Sequence, residues 1–207
     1  MKEFETPRFY QKIIYLAAKW LSWILLKIFY RFKVHHAEFV PKTGGVLLAA
    51  NHISLADPPI MGASVPRPIY FFAKEELFRI PVIGWMISQM NAFPVKRYEH
   101  DIGAFKKAQT ILKNGRPLIL FPEGRRSKTG ELGKAKPGAG MLAFRTGAAV
   151  VPVYISNSNR MKFFKKVEVF FGAPMTPSKE MLEQKDYQVF SDLVMRSIAD
   201  LKSKMYN

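Results

Sequence analysis

Apolar residues recur along this chain in two rhythms. Residues 8–33 hold neither Gly nor Pro and are dense in Ile, Leu, Phe, Tyr and Trp, which predicts a helix, in one piece or two, starting near Pro7. Beyond it, short continuous apolar runs alternate with longer stretches of helical period. Val46–Ala50, Ile69–Ala73, Pro117–Leu120, Val150–Ile155 and Val167–Phe171 read as strands, the first entered through the Gly44-Gly45 turn. Val34–Pro41 reads as an extended edge segment. Glu75–Met90 predicts an apolar helix kinked or restarted at Pro81. Glu99–Lys113 predicts an amphipathic helix with Ile102, Phe105 and Ile111 inward and Gly115 as its stop. A basic, Gly-rich loop over 128–140 leads to a short helix ending at Gly147. A last helix within Ser178–Met205 places Val189, Phe190, Leu193, Val194, Ile198 and Leu201 on one face. This alternation predicts an α/β fold, a central, largely parallel sheet flanked by helices.

The N-terminal helix raises the question of a membrane. A spanning helix needs about 20 mostly apolar residues. Lys12, Lys19 and Lys27 interrupt the run and leave Trp20–Leu26 as its longest uncharged stretch. At about 100° per residue, Arg8, Lys12, Lys19, Lys27 and Arg31 fall within roughly 140° of arc. Leu16, Trp23, Leu25, Ile28 and Phe32 supply an aromatic and aliphatic side. A cationic stripe beside such a face predicts a helix lying in the plane of a membrane surface; the other reading is a helix packed on the protein's own core. Residues 1–33 are thus expected to be an anchoring segment and 34–207 the α/β domain. The N-terminus lacks the short apolar region and small-residue cleavage site of a signal peptide.

Charge narrows the partners. The 207 residues carry a formal net charge of +16, which predicts an anionic partner: nucleic acid, an anionic membrane surface or a phosphorylated substrate. The absence of Cys excludes disulfides and thiol chemistry. His35 and His36 resemble metal ligands only in type; with no second ligand cluster they read as surface residues.

Two polar turns follow predicted strands. Asn51-His52-Ile53-Ser54-Leu55-Ala56-Asp57 leaves the run Val46–Ala50, and Pro58-Pro59 ends any continuation. A neutral imidazole can take a proton from an attacking hydroxyl, and a carboxylate on its other nitrogen fixes the tautomer and stabilises the imidazolium. Alone, this spacing is weak, because Asp57 can equally cap the following helix. The second turn, Phe121-Pro122-Glu123-Gly124-Arg125-Arg126-Ser127, follows Pro117–Leu120.

Together these turns resemble the glycerolipid acyltransferase family, specifically its bacterial-type 1-acylglycerol-3-phosphate acyltransferases. Four sequence blocks occur in order: Asn51–Asp57, Asn91–Arg97, Phe121–Ser127 and Val151-Pro152-Val153-Tyr154. The second departs from the pattern by opening without Gly and by carrying Lys96 before Arg97. The third has Arg125 where Thr is usual. The resemblance spans roughly residues 34–175.

The resemblance implies transfer of a fatty acyl group from acyl-CoA or an acyl-carrier protein to the 2-hydroxyl of lysophosphatidic acid. His52 would be the general base and Asp57 its orienting partner. Arg97 with Arg125 or Arg126 would hold the acceptor phosphate, since guanidinium binds phosphate oxygens bidentately. Lys106 or Lys107 either reaches the same phosphate or is merely solvated. Glu123 would help hold the acceptor glycerol, unless it pairs with Arg125 or Arg126, and Gly124 would let backbone approach the reacting centre. Pro152 would shape the pocket or simply set packing. Phe78, Val82, Ile83, Trp85, Met86 and Met90 form either core or an acyl-chain channel. No metal or prosthetic group is required.

The expected location is the cytoplasmic face of the cell inner membrane, bound from one side, with no nucleic-acid partner. A nucleic-acid-binding protein would explain the charge but not the Trp- and Leu-rich helix. A membrane scaffold would leave the His-Asp pair idle. Within the enzyme class, another lysophospholipid or an aminoacyl lipid remains an alternative acceptor.

Overall fold

The computed structural model describes residues 9–96, 101–160 and 164–206. In chain order the elements are α1 (Phe9–Tyr30), β1 (Lys33–His35), β2 (Val46–Ala50), α2 (Asp57–Ser64), β3 (Tyr70–Lys74), α3 (Pro81–Gln89), β4 (Ala92–Val95), α4 (Ile102–Lys113), β5 (Pro117–Leu120), α5 (Gly138–Thr146), β6 (Ala149–Ile155), β7 (Glu168–Phe171), α6 (Lys179–Gln184) and α7 (Tyr187–Tyr206). Short 3-10 segments at Ala37–Phe39, Glu75–Arg79 and Ser158–Arg160 join some of them.

The strands form one sheet in the order β1-β7-β6-β2-β5-β3-β4. Every pairing is parallel except β6 with β7. β2 lies at the centre, between β6 and β5, and all five of its residues are buried. That double coverage is why its sequence is continuously apolar rather than alternating. β4 is a strand that hydrophobic patterning alone passes over, because Pro94 sits inside it. Its place at the sheet edge explains the tolerance, since a proline there forfeits no ladder hydrogen bond.

The order of the strands decides which helix lies where. The steps β2 to β3 and β3 to β4 go one way across the sheet, and β4 to β5 and β5 to β6 come back. Right-handed crossovers therefore put α2 and α3 on one face and α4 and α5 on the other. The two apolar clusters agree. One joins Leu26, Phe32, Ile60 and Met61 to the sheet, and the other joins Ala108, Ile111, Leu142, Phe190 and Ile198 to its opposite side. β2 and β5 are neighbours whose connections leave to opposite faces, which opens a crevice at their C-terminal ends. Both polar turns start there.

α1 is one continuous helix, packed on α2 and α3. Tyr15 and Leu26 are buried, and so is Phe32 just beyond its end, at 1% exposure. Phe32 was expected on the lipid side; it is core instead. Lys19 was expected in the outward cationic stripe; its Nζ turns inward and donates to Val65 O at the C-terminus of α2, at 2.6 Å. The Tyr15 hydroxyl accepts from Ile69 N at 3.0 Å, and burial pushes that phenol above its ordinary value. A boundary at residue 33 thus runs through one continuous core. The expected final helix is two, α6 and α7, broken where Lys185 adopts a left-handed backbone.

Candidate active site

The end of β2 is tied to β6 by a side chain. Asn51 Nδ2 donates to Ile155 O at 3.0 Å and its Oδ1 accepts from Ile155 N at 2.7 Å, so an amide side chain extends the strand pairing by one step. His52 follows with its backbone fixed on both sides. Its N–H donates to Glu123 Oε1 at 3.2 Å, and its carbonyl accepts from Ser127 N at 2.8 Å. The two polar turns are thereby stitched together. Phe121 stacks on the imidazole, with ring centroids 3.9 Å apart and planes 16° from parallel.

The imidazole is held by Asp57, whose side chain is wholly buried. Asp57 Oδ2 accepts from His52 Nδ1, Ile53 N and Ser54 N, each at 2.8 Å. Ser158 Oγ donates to its Oδ1. The carboxylate therefore acts as an acceptor throughout, and Nδ1 must carry the proton in that contact. In the neutral ring this leaves Nε2 with its lone pair, and Nε2 makes no hydrogen bond among the described residues. Asp57 does not cap α2; it braces the turn before it.

Glu123 makes no ion pair with Arg125 or Arg126. It is buried, and its second oxygen accepts from Gly133 N at 2.9 Å, so one carboxylate links the His52 turn to the following basic loop. Gly124 has φ +69, and a Cβ there would press on the Lys136 side chain at 2.9 Å. The lysine end can move aside, so it is the left-handed backbone that calls for glycine. Arg125, Arg126, Lys134 and Lys136 are exposed around this edge.

Against that geometry the comparisons with known proteins are specific. The Acyltransferase family model matches residues 31–156. The chain belongs to the acyltransferase family. It is 30% identical over 184 residues to a 1-acyl-sn-glycerol-3-phosphate acyltransferase of Bacillus subtilis, covering 84% of this chain and 89% of that one. A chloroplastic 1-acyl-sn-glycerol-3-phosphate acyltransferase of Arabidopsis thaliana is 33% identical over 150 residues, covering 71% of this chain and 42% of the relative. The chain thus spans about half the length of several curated relatives it matches, the plant proteins among them. The crystal structure of the 1-acyl-sn-glycerophosphate (LPA) acyltransferase PlsC from Thermotoga maritima superposes with a TM-score of 0.71 at 29% identity, covering 93% of this chain and 81% of that one.

For this acyltransferase-family chain, the remaining expected residues distribute unevenly. Arg97 lies outside the described residues. Lys106 is exposed on α4, whereas its neighbour Lys107 lines a concavity of about 470 Å³ with Lys96, Asp101 and Glu75 beside the end of β4. Three strand spacings, roughly 14 Å, separate β4 from β2. Of the expected acyl-chain residues, Val82, Ile83, Trp85 and Met86 are exposed on α3, and Phe78 and Met90 are half-buried. The physical reason is that α3 turns Gly84 and Gln89 inward instead. Pro152 pairs with Ala49 in mid-strand and packs against Gly172, within the core. His35 pairs with Glu168 and stacks on Phe170, a local edge role. The residues that sequence patterning misses are Ser158, Phe121 and Asn51 as a brace. Ser158 carries no local signal, because it stands 101 residues from Asp57.

Proposed function

We propose that this protein transfers a fatty acyl group from an acyl thioester, on coenzyme A or an acyl-carrier protein, to the free 2-hydroxyl of a 1-acylglycerol-3-phosphate, giving phosphatidic acid. The observation that carries it is the 2.8 Å contact of His52 Nδ1 with a buried Asp57 carboxylate that can only accept there.

In the proposed reaction His52 Nε2 takes the proton from the acceptor hydroxyl as its oxygen attacks the thioester carbonyl. The tetrahedral adduct collapses, the C–S bond breaks, and the imidazolium returns its proton to the leaving thiolate. Asp57 holds the ring and stabilises its charge meanwhile. No side-chain nucleophile is needed, because the substrate supplies one. General-base assistance of this kind contributes about 10²–10⁴-fold, and positioning adds more. Arg125 and Arg126, next to the Ser127 amide that binds His52 O, are candidates for the acceptor phosphate, together with Arg97. The acceptor class is supported by the bacterial 1-acyl-sn-glycerol-3-phosphate acyltransferases that are about 30% identical to this chain.

We further propose that α1 lies in one leaflet at the cytoplasmic face of the cell membrane. By length and composition it could cross a membrane. Its inner face, however, is packed on the protein at Tyr15, Lys19 and Leu26, and a helix so held cannot be surrounded by lipid. Its outer arc, including Ile13, Leu16, Trp20, Leu21 and Ile24, is exposed and apolar. Each basic residue near an anionic surface adds about 1 kcal/mol of attraction.

The test uses purified protein, acyl thioester and vesicles. Thiol release that depends on added lysophosphatidic acid is the expected result. Release unaffected by acceptor, or none at all, contradicts the proposed reaction.

A further inference from the structure

Among the described residues, most of the large apolar side chains left in solvent gather in two neighbouring places. One is the outer arc of α1. The other is α3 and the residue before it, where Val82 is 76% and Trp85 59% exposed and Ile80 and Met86 are nearly half so. α1 and α3 pack against each other, so the two surfaces adjoin.

α3 is built inside out for a soluble helix. Its buried residues are Gly84 and Gln89, while its large apolar side chains point away from the core. Gly84 explains how the helix is held: a Cβ there would collide with the Phe78 backbone carbonyl, so α3 seats on the preceding 3-10 turn through bare backbone. Neither α1 nor α3 contains an acidic residue, and Lys12 and Lys27 are exposed along α1, whereas Arg79 before α3 is paired with Glu75.

These features select the occupant. A second copy would bring two bodies of net charge +16 together, whereas anionic headgroups neutralise the same cations. Trp20 and Trp85 have the amphipathic rings favoured where apolar and wet phases meet. We propose that Ile80, Val82, Trp85 and Met86 form a second lipid contact, entering the same leaflet of an anionic bilayer as the outer face of α1. The proposal deepens the membrane placement of α1 and rests on it. One helix leaves the protein free to roll about its axis; two contacts fix its attitude. The turn entering α3 follows the C-terminal end of β3, so a bilayer seated on Ile80 and Val82 holds the polar-turn edge of the sheet at the lipid surface.

The experiment uses the full chain and vesicles of phosphatidylcholine and phosphatidylglycerol. Trp20→Phe with Trp23→Phe leaves Trp85 as the sole tryptophan. On binding, its emission should shift to the blue and be quenched by lipids brominated on their acyl chains. Val82→Glu with Met86→Glu should lower vesicle partitioning by roughly a hundredfold, with an unchanged circular-dichroism spectrum. Trp85 that stays unquenched while the protein is vesicle-bound overturns the proposal, as does unchanged partitioning of the double variant. Concentration-dependent burial of Trp85 without vesicles would point to a second copy and also overturn it. Failure of the α1 placement would appear differently, as a parent protein that does not bind vesicles. Failure of the acyl-transfer reaction would appear only in thiol release.

Discussion

Ser158 donates its hydroxyl to the one oxygen of Asp57 that His52 does not use. The two residues are 101 positions apart, on turns following different strands, and both are buried. The contact fixes the carboxylate plane and with it the direction of the His52 ring.

Ser158→Ala should therefore lower kcat by about 10–100-fold, the worth of a hydrogen bond to a charged group, while leaving KM for both substrates nearly unchanged. Ser158→Thr keeps the hydroxyl and should restore most of the rate. Equal losses in both variants, or a loss confined to KM, would assign Ser158 to folding rather than to positioning.

Glu123 offers a second positioning test. Glu123→Ala leaves the His52 and Gly133 amides without their acceptor, at about 1–3 kcal/mol each if they stay dry. Thermal stability should fall and kcat with it. Glu123→Gln keeps one good acceptor and should fall between. A Glu123→Ala protein as stable and active as the parent would show that water replaces the carboxylate without consequence.

Phosphate recognition separates by substrate. Arg125→Ala, Arg126→Ala and Arg97→Ala should raise KM for lysophosphatidic acid more than KM for the thioester, by about tenfold or more where a bidentate contact is lost. Steady-state kinetics with each substrate varied in turn checks this. Equal rises for both substrates would remove these arginines from the acceptor site.

The N-terminal helix should prove part of the fold as well as a membrane contact. Tyr15→Phe deletes the acceptor of a buried amide, that of Ile69, and should cost about 1–3 kcal/mol. The sign with pH follows from the raised phenol. Below its ordinary value of 10.0 the difference between parent and variant is constant. Above it the parent's unfolded state gains phenolate first, so the parent loses stability and the difference narrows. Urea unfolding at a series of pH values measures it. Deleting residues 1–33 should destabilise the whole domain, because Leu26 and Phe32 leave the cluster that holds Ile60 and Met61.

Much of this was legible in the residues themselves. The run Val46–Ala50 and the Gly44-Gly45 turn marked the central strand with its correct bounds, since a strand buried on both faces has no alternation to confuse. Pro81 marked where α3 begins. β4 hid behind Pro94, whose tolerance depends on an edge position that no local pattern reveals. The side of α1 that meets protein is hidden in the sequence, because a lysine reads as solvent-facing, whereas Lys19 caps the carbonyl end of α2. The apolar content of α3 suggested a channel, yet glycine and glutamine, not the large side chains, turn inward. The turn that joins His52 to Asp57 is weak evidence alone, and the four sequence blocks together single the pair out. Ser158 is not singled out, because only the fold brings it near.

The most direct test is the turnover of His52→Ala in the full chain, assayed by acyl transfer to a lysophosphatidic acid and accompanied by circular dichroism and vesicle binding. Loss of the base should lower kcat by about 10³-fold or more while secondary structure and vesicle affinity stay at parental levels. Asp57→Asn should be nearly as severe, because an amide can no longer accept from Nδ1 and both peptide N–H groups with the same charge. A folded, vesicle-bound His52→Ala protein that turns over at a substantial fraction of the parental rate would contradict the proposed role of the pair.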